Sequence, residues 1–341
     1  MRQIRTEDAV GHVLCHDITR IVKGVTKDVA FRKGHVVRGE DIPVLLSLGK
    51  DHLFVWEAGQ DMVHENDAAA VLYKLCGGLH MRPSEVKEGK IEVIADCDGV
   101  LLVDTLKLRR INALSKMMIA TRHNGTMVRK GDKLAGTRII PMVIHKDKLA
   151  EAQEIGAGEP ILILKPFVAK KTAVIATGNE VFYQRIEDTF TPVIAEKVQA
   201  FGGVIFDQDV LPDNPEAITA RILEAIENGA EMVICTGGMS VDPDDKTPLA
   251  IKNTGADIIS YGAPVLPGAM FLLSYYGGTI PVLGLPGCVM YAKRTIFDLV
   301  LPRLMADVPI GRDDLAGLGH GGLCLSCAVC TYPNCGFGKG Q

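Results

Sequence analysis

The sequence predicts an α/β protein whose second half is a three-layer α/β/α domain built on a mostly parallel sheet. From about residue 160 to residue 310, apolar runs of strand length alternate with amphipathic stretches of helix length. The strand-like runs include Thr172–Ala176, Val204–Phe206, MVICT and IPVLGL, and the helical stretches centre on Val193–Phe201 and Ile218–Ile226. Repeated strand–helix units of this kind favour a parallel sheet covered by helices on both faces.

The first half predicts a different, α+β organisation. Residues 1–80 form a small mixed unit with helices near Asp41–Leu48 and Glu65–Leu75, and residues 81–150 form a β-rich middle unit with one helix near Lys107–Leu114. A single α+β domain over residues 1–149 is an equally good interpretation. A Gly/Pro linker, EIGAGEP, then leads into residues 160–310, and residues 311–341 read as a Gly-rich linker followed by a Cys-rich tail.

The composition and net charge argue against a protein that mainly binds nucleic acid or a membrane. The 341 residues carry a formal net charge of −4, which gives no general attraction to nucleic acid or to an anionic membrane. The N-terminal segment MRQIRTEDAVGHVL lacks the apolar core of a secretory signal, and no apolar run is long enough to cross a bilayer. We therefore expect a soluble, cytoplasmic protein, with the oligomeric state left open and a homo-oligomer included.

Three loops that directly follow predicted strands carry the residues expected to bind a ligand. These are Thr177, Gly178 and Glu180 after the first strand of the domain, Thr236, Gly237, Gly238 and Ser240 after the third, and Pro286 and Gly287 after the last. The carboxyl ends of parallel strands meet at one edge of a sheet, where ligands bind. Glycines there admit close approach to the backbone, whose free N–H groups suit an anion such as a phosphate.

Acidic residues lie in two of the neighbouring loops. Asp242, Asp244 and Asp245 follow the third strand, while Asp209 and Asp213 are expected in the loop after the second. Carboxylate oxygens beside a phosphate site favour Mg²⁺ as a bound ion. The alternative is a solvated acidic turn in which Asp245 caps the following helix.

At this point the sequence resembles a known family. The segments ATGNEV, VLPDNPEAI, VICTGGMSVDPDDKTPLAI and VLGLPG occur in an order and spacing similar to the domain shared by molybdopterin adenylyltransferases and molybdopterin molybdenumtransferases. The resemblance covers about 150 residues. It implies that a pyranopterin phosphate, molybdopterin or its adenylylated form, binds over the strand ends.

The resemblance also implies roles for individual residues. Glu180 matches the acidic position of the TG-x-E motif, and the TGG and LPG turns match backbone contacts to the ligand. Asp213 and Asp245 match the two aspartates used near the transferred adenylyl or molybdate group, and they are the catalytic candidates. Asp242 and Asp245 are the candidate ligands for Mg²⁺.

The sequence departs from the molybdenumtransferase pattern in several places. Where that family has PGKP and LPGNP, this chain has Pro267-Gly268-Ala269-Met270 and Leu285-Pro286-Gly287-Cys288-Val289, so a lysine and a proline are missing. The first half lacks the MDGYA-type segment, and the domain that normally follows is replaced by the cysteine tail. These departures put complete molybdate insertion in doubt.

The last 18 residues contain four cysteines, Cys324, Cys327, Cys330 and Cys335, in a C-x2-C-x2-C-x4-C pattern. Four thiolates at such spacing can enclose a tetrahedral Zn²⁺ or anchor an iron–sulfur cluster. A redox-labile thiol tail and a disordered Cys-rich end are the alternatives.

Three functions are compatible with these patterns. The leading hypothesis is an enzyme of molybdenum-cofactor synthesis that transfers adenylyl or molybdate to the pterin. The second is a non-catalytic carrier or sensor that delivers the cofactor to a molybdoenzyme or to another cofactor-synthesis protein and uses the tail for docking. The third is nucleotide cleavage of the competence-damage type, since such proteins share the domain.

Overall fold

A computed structural model describes residues 2–22, 26–55, 61–240, 242 and 245–340. Asp244, one of the predicted acidic residues, lies outside the described residues. The helices are α1 Asp41–Ser47, α2 Glu65–Cys76, α3 Thr105–Ala113, α4 Lys146–Ile155, α5 Asn179–Phe182, α6 Phe190–Gln199, α7 Pro215–Glu227, α8 Thr247–Asn253, α9 Ile296–Met305 and α10 Arg312–Gly317.

The described residues form twelve strands in the first half of the chain and seven in the second. Those of the first half are β1 Arg2–Arg5, β2 Ile18–Val22, β3 Thr26–Phe31, β4 His52–Val55, β5 Met62–His64, β6 Met81–Pro83, β7 Lys90–Ala95, β8 Gly99–Val103, β9 Met117–Thr121, β10 Thr126–Val128, β11 Lys133–Ile139 and β12 Val143–His145. Those of the second half are β13 Leu162–Pro166, β14 Lys171–Thr177, β15 Val204–Leu211, β16 Met232–Thr236, β17 Asp257–Tyr261, β18 Leu272–Tyr276 and β19 Ile280–Leu285.

The chain divides into two compact units. The first consists of Met1–Ala95, Val103–Arg122 and Gly131–Ile163, and the second of Asp96–Leu102, His123–Lys130 and Leu164–Gln341. The predicted boundaries at residues 80, 150, 160 and 310 stay predictions.

The first unit is α+β and rich in antiparallel pairing. Its largest sheet has the strand order β6-β7-β11-β9, and smaller two-stranded sheets pair β1 with β4, β2 with β3 and β5 with β12. Helix α2 buries Ala68, Ala69, Leu72 and Cys76 on one face, which follows from their helical spacing. The predicted helices near Asp41, Glu65 and Lys107 are present as α1, α2 and α3.

The second unit contains the predicted three-layer domain. Its six-stranded sheet has the order β15-β14-β16-β19-β18-β17, in which β15, β14, β16 and β19 are parallel and β18 runs antiparallel to both neighbours. The α/β fold class and the mostly parallel sheet are therefore confirmed.

Alternating side chains of the central strands explain why helices cover both faces. In β16, Ile234 packs in one core cluster with Ile194 of α6 and Val300 of α9, while Val233 packs in another with Ile222 of α7. All five side chains of β16 are buried, as expected for a parallel strand enclosed between two helical layers.

The tail joins the second unit through apolar packing. Within the segment predicted as a linker, residues 312–317 form α10 and bury Leu315, and further on Phe337 is only 5% exposed within the same core cluster as α9. Among the described residues, no helix has both the length and the apolar composition that a transmembrane segment requires.

Candidate functional site

Two threonine hydroxyls and one threonine carbonyl connect the ends of the two central strands. Thr177 closes β14, is 4% exposed, and donates its hydroxyl proton to the carbonyl oxygen of Thr236 at the end of β16, 3.0 Å away. Because that proton is used, the hydroxyl of Thr247 must be the donor in its 2.9 Å contact with Thr177 Oγ1. The structure thus brings the predicted residues Thr177 and Thr236 together and adds Thr247, the first residue of α8.

The turn after β16 requires glycine. Gly237 has φ +82°, and a Cβ atom placed on it would lie 1.9 Å from the carbonyl oxygen of Thr177. Gly238, at φ +53°, accepts a hydrogen bond from Thr247 N–H through its carbonyl. Among the described residues, the N–H groups of Gly238 and Met239 donate to no acceptor, so this turn presents two backbone donors at the carboxyl edge of the sheet.

The loop after β14 is tied to the loop after β15. Asn179 donates its backbone N–H to Asp213 Oδ2 at 3.0 Å, and its side-chain oxygen accepts the N–H of Asp213 at 3.4 Å. Gly178, at φ +140°, leaves room for Glu180, whose Oε1 would lie 2.9 Å from a Cβ on that glycine. Glu180 itself is exposed at the start of α5.

The acidic loop after β16 forms a closed turn. Asp242 N–H donates to Asp245 Oδ2 at 3.0 Å, and Asp245 N–H donates to the carbonyl of Asp242 at the same distance. Ser240, also in this loop, is exposed. The alternative in which Asp245 caps the next helix is not seen, because α8 has Lys246 at its N-cap and no side-chain cap.

Tyr261 of β17 is a site residue that sequence reasoning missed. Its hydroxyl donates to the carbonyl of Met239 at 3.0 Å, and Ser240 O lies 3.3 Å away. Burial and the negative charge of Asp245 raise the pKa of the Tyr261 phenol, so the hydroxyl stays protonated and remains a donor.

The loop after β19 is the most open of the three. Pro286 is buried at the end of the strand, but Gly287 is exposed and a Cβ atom on it would meet nothing within 4 Å. Among the described residues, nothing therefore requires glycine at position 287, in contrast to position 237. The space beside its backbone is available to a ligand.

Asp209 corrects one prediction about the acidic loops. It lies inside β15, not after it, because that strand continues to Leu211. Its Oδ2 accepts from Arg221 Nε of α7 at 3.0 Å, and Asp207 binds the same guanidinium at 2.5 Å. Asp209 is therefore part of a structural ion-pair network.

The two catalytic candidates occupy neighbouring parts of the same sheet edge. Asp213 contacts the loop of β14, whereas Asp245 belongs to the loop of β16, and no hydrogen bond or ion pair joins the two carboxylates. Across the described ranges, no group of three or more His, Cys, Asp or Glu side chains is gathered to hold a metal. Mg²⁺ here would need water and a phosphate of the ligand to complete its shell, which is how that ion usually binds.

The four cysteines of the tail differ in surroundings. Cys327 and Cys330 are exposed, whereas Cys324 and Cys335 lie against the apolar core of the second unit. Hydrogen bonds from the backbone of Tyr332 and from Arg294 lower the pKa of the Cys330 thiol. The described arrangement does not fit a tetrahedral Zn²⁺ or an iron–sulfur cluster, since no three thiols are gathered.

Two family models match the chain. Residues 173–306 match a family described as a probable molybdopterin binding domain, and residues 3–57 match a domain of unknown function. The first match contains every predicted ligand-binding residue of the three strand-end loops.

The similar proteins are of two kinds, CinA-like proteins and molybdopterin molybdenumtransferases. A CinA-like protein of Fervidobacterium nodosum is 32% identical over 109 residues, which are 32% of this chain and 26% of the relative. A molybdopterin molybdenumtransferase of Haemophilus influenzae is 23% identical over 311 residues, 88% of this chain and 71% of that protein. The solved structure of the protein CinA from Thermoplasma acidophilum covers 40% of this chain and 98% of its own, with 20% identity and a TM-score of 0.35. The chain spans only about a quarter of the first of these relatives.

Proposed function

We propose that residues 173–306 bind molybdopterin or its adenylylated form at the carboxyl edge of the sheet, and that the protein takes part in molybdenum-cofactor biosynthesis in the cytoplasm. The observation that carries this proposal is the turn after β16, where the N–H groups of Gly238 and Met239 have no acceptor among the described residues. Successive backbone donors in such a turn form an anion-binding concavity. The match to a probable molybdopterin binding domain supports a pterin phosphate as that anion.

The other loops complete the proposed binding site. Pro286 and Gly287 leave open space next to the backbone, and Glu180 is exposed at the end of β14 where a polar group of the pterin can reach it. Thr177 and Thr236 contribute indirectly, because their buried hydroxyl and carbonyl groups fix the turn that presents the backbone N–H donors.

We assign transfer of an adenylyl or molybdate group to the same edge, with Asp213 and Asp245 as the catalytic residues. Asp245 uses Oδ2 to close its own turn, which orients Oδ1 rigidly, and Asp213 is oriented by Asn179. Mg²⁺ bound by Asp242, Asp245 and the phosphate would supply positive charge where negative charge develops during transfer.

Variants of the two aspartates test this catalytic assignment. In Asp213→Asn and Asp245→Asn, we expect transfer to the pterin to fall by about 100-fold, the order of loss for a group that acts on the transition state, with pterin affinity nearly unchanged. Asp257→Asn, at the start of β17, is the matched control and should keep full activity. Normal turnover in both site variants would overturn the assignment.

A carrier without turnover is the first alternative. The missing PGKP lysine and the exposed apolar residues of the tail, including Leu325 and Val329, favour it. In that case the protein binds pterin without consuming ATP or molybdate, and the double variant Leu325→Ser/Val329→Ser, which leaves the buried Phe337 in place, impairs activation of a molybdoenzyme. A fully active partner with that variant would argue against a carrier.

Binding of a metal ion or cluster by the four cysteines of the tail is a further proposal. Binding of Zn²⁺ or an iron–sulfur cluster by Cys324, Cys327, Cys330 and Cys335 would require the four thiols to come closer together than in the described arrangement. Metal analysis of the purified protein tests it, and a brown colour distinguishes iron–sulfur from zinc. Full function of a metal-free protein would contradict metal binding by the tail.

Nucleotide cleavage is the second alternative, and the 32% identity to a CinA-like protein supports it. The same backbone donors would then bind the phosphates of a nucleotide. Hydrolysis of ADP-ribose or nicotinamide mononucleotide by the wild-type protein, lost in Asp245→Asn, would favour this function over pterin chemistry.

A further inference from the structure

The first unit contains a polar cleft that the proposed function does not use. Its volume is about 270 Å³, just below the range usual for sites that bind drug-sized molecules or cofactors. His16, Lys33, His64, Glu65 and Arg138 are among the residues that line it. A cleft of this size suits a metabolite smaller than a nucleotide.

Glu65 is the most unusual group in this cleft. It is only 8% exposed at the start of α2, yet its carboxylate has no hydrogen bond or ion pair with any described residue. Gly89 makes room for it, because a Cβ on that glycine would lie 2.6 Å from Glu65 Oε2. The Glu65 carboxylate lines a cleft in which no described residue pairs with it, and the group that complements a carboxylate is a cation or a set of N–H donors.

Two cations line the same cleft without a carboxylate partner. Lys33 Nζ lies 2.8 Å from His64 Nδ1, and since His64 Nε2 donates to the carbonyl of Cys15 at 2.7 Å, Nδ1 is an acceptor and Lys33 is the donor. Arg138 donates only through Nε, to the carbonyl of Ile139 at 3.2 Å. Within the described part of the chain, neither cation pairs with Glu65, so both keep donors for an anionic group.

A neutral histidine, His16, also lines the cleft. Burial, and next the positive charge of Lys50, lower the pKa of His16, so its ring is uncharged at neutral pH. Its Nδ1 has no hydrogen-bond partner among the described residues. Unpartnered buried polar atoms are rare in folded proteins and call for a ligand or a bound water.

We propose that this cleft binds a free α-amino acid, with Glu65 receiving the ammonium group and with Lys33 and Arg138 receiving the carboxylate. A molecule with both charges complements the carboxylate and the two cations that line the cleft. A divalent cation is disfavoured because the described residues gather no set of three ligands. A polyphosphate is disfavoured by the carboxylates of Asp17, Glu65 and Glu88, which all line the cleft.

Calorimetric titration of the full chain with each of the common amino acids tests the proposal. Ethylamine and propionate serve as probes that carry only one of the two charges. We expect at least one amino acid to bind saturably and both single-charge probes to bind at least about 30-fold more weakly, because each probe leaves one set of charged groups in the cleft without a partner from the ligand. Absence of binding by every amino acid, or equal binding of a single-charge probe, overturns the proposal.

Two variants that each remove one charge identify the cleft as the binding site. Glu65→Gln and Arg138→Gln should each weaken the bound amino acid by about 30-fold or more, whereas the exposed controls Glu85→Gln and Arg109→Gln should leave affinity within about twofold. Glu65→Gln should keep the thermal midpoint of the ligand-free protein nearly unchanged, since no described residue pairs with the Glu65 carboxylate. Should that variant not fold, Arg138→Gln carries the test, and unchanged affinity in it contradicts the site.

Discussion

A single buried carboxylate, Asp41, connects two segments of the first unit. Its Oδ2 accepts from His35 Nε2 at 2.6 Å and from the N–H of Arg38 at 2.8 Å. Burial works against ionisation, but these hydrogen bonds outweigh it and hold the pKa of Asp41 below its usual value. Asp41 is the first residue of α1, and its side chain turns back to the preceding loop.

The depressed pKa of Asp41 predicts how stability depends on pH. Its contribution is present above the unfolded-state pKa, near 4, and is lost as the pH falls through the lower folded-state value. We expect Asp41→Asn to reduce the free energy of unfolding by about 1–3 kcal/mol at neutral pH. Urea denaturation at several pH values should show the difference from wild type shrinking in acid. Asp51→Asn, an exposed change nearby, should have no such effect, and a constant difference at all pH values would contradict this account.

Residues of the proposed binding site were predicted unevenly from the sequence. Thr177, Gly237 and Gly238 were singled out because they follow apolar runs that end abruptly, and the structure has them at the ends of β14 and β16, while their binding of a ligand stays a prediction. Tyr261 was missed because its strand comes from a distant, antiparallel part of the sheet, and local spacing carries no signal of contact with Met239.

The strands and helices predicted from the sequence are present where the hydrophobic pattern is strong. The buried runs that became β14, β16 and β19 were predicted, whereas β17 and β18 were not, because the Gly- and Pro-containing segment 262–270 joins them without a helix and they show no strand–helix alternation. In β15, the three consecutive polar residues Asp207, Gln208 and Asp209 disguised the continuation of an edge strand to Leu211, and this is why Asp209 was expected in a loop.

Helix α9 depends on a buried acidic residue at its first turn. Asp298 is 7% exposed, closes a capping box with Thr295, and accepts from Lys197 at 2.5 Å and from Arg294 at 2.8 Å. We expect Asp298→Asn to lower the free energy of unfolding by about 3–5 kcal/mol, since it leaves two cations without their partner. Chemical denaturation measures this. A loss below about 1 kcal/mol, comparable to that of an exposed Asp→Asn change, would show that the ion pairs are not coupled to stability.

The tail belongs to the folded second unit, through Phe337 and Tyr332. Tyr332 donates its hydroxyl to the carbonyl of Asp298 at 2.9 Å, and its ring stacks beneath the guanidinium of Arg294, 4.8 Å from the ring centre. The sequence did not predict this packing because apolar residues in a Gly- and Cys-rich segment show no helical or strand period.

Removal of the Phe337 ring should therefore destabilise the whole second unit. We expect Phe337→Ala to cost about 3–5 kcal/mol by leaving a cavity against α9, while Val329→Ala, 78% exposed, should change stability by less than about 0.5 kcal/mol. Thermal unfolding of the two variants provides the comparison. Equal midpoints would mean that the tail is only loosely attached.

In the whole molecule, the carboxyl edge of the six-stranded sheet is the proposed binding site for molybdopterin, with the turn after β16 as its main contact. Two glycines allow a matched test, because Gly237 and Gly255 share a φ of +82° but only Gly237 lies against another loop. Alanine at either position carries the same backbone strain, whereas only at 237 does it collide with Thr177.

The most direct measurement is the affinity for molybdopterin, followed by the fluorescence of the oxidised pterin retained on the protein. The account predicts that the wild type and Gly255→Ala bind pterin with similar affinity, and that Gly237→Ala, still folded by circular dichroism, binds at least about tenfold more weakly. Equal pterin retention by all three proteins, or none by the wild type, would contradict it.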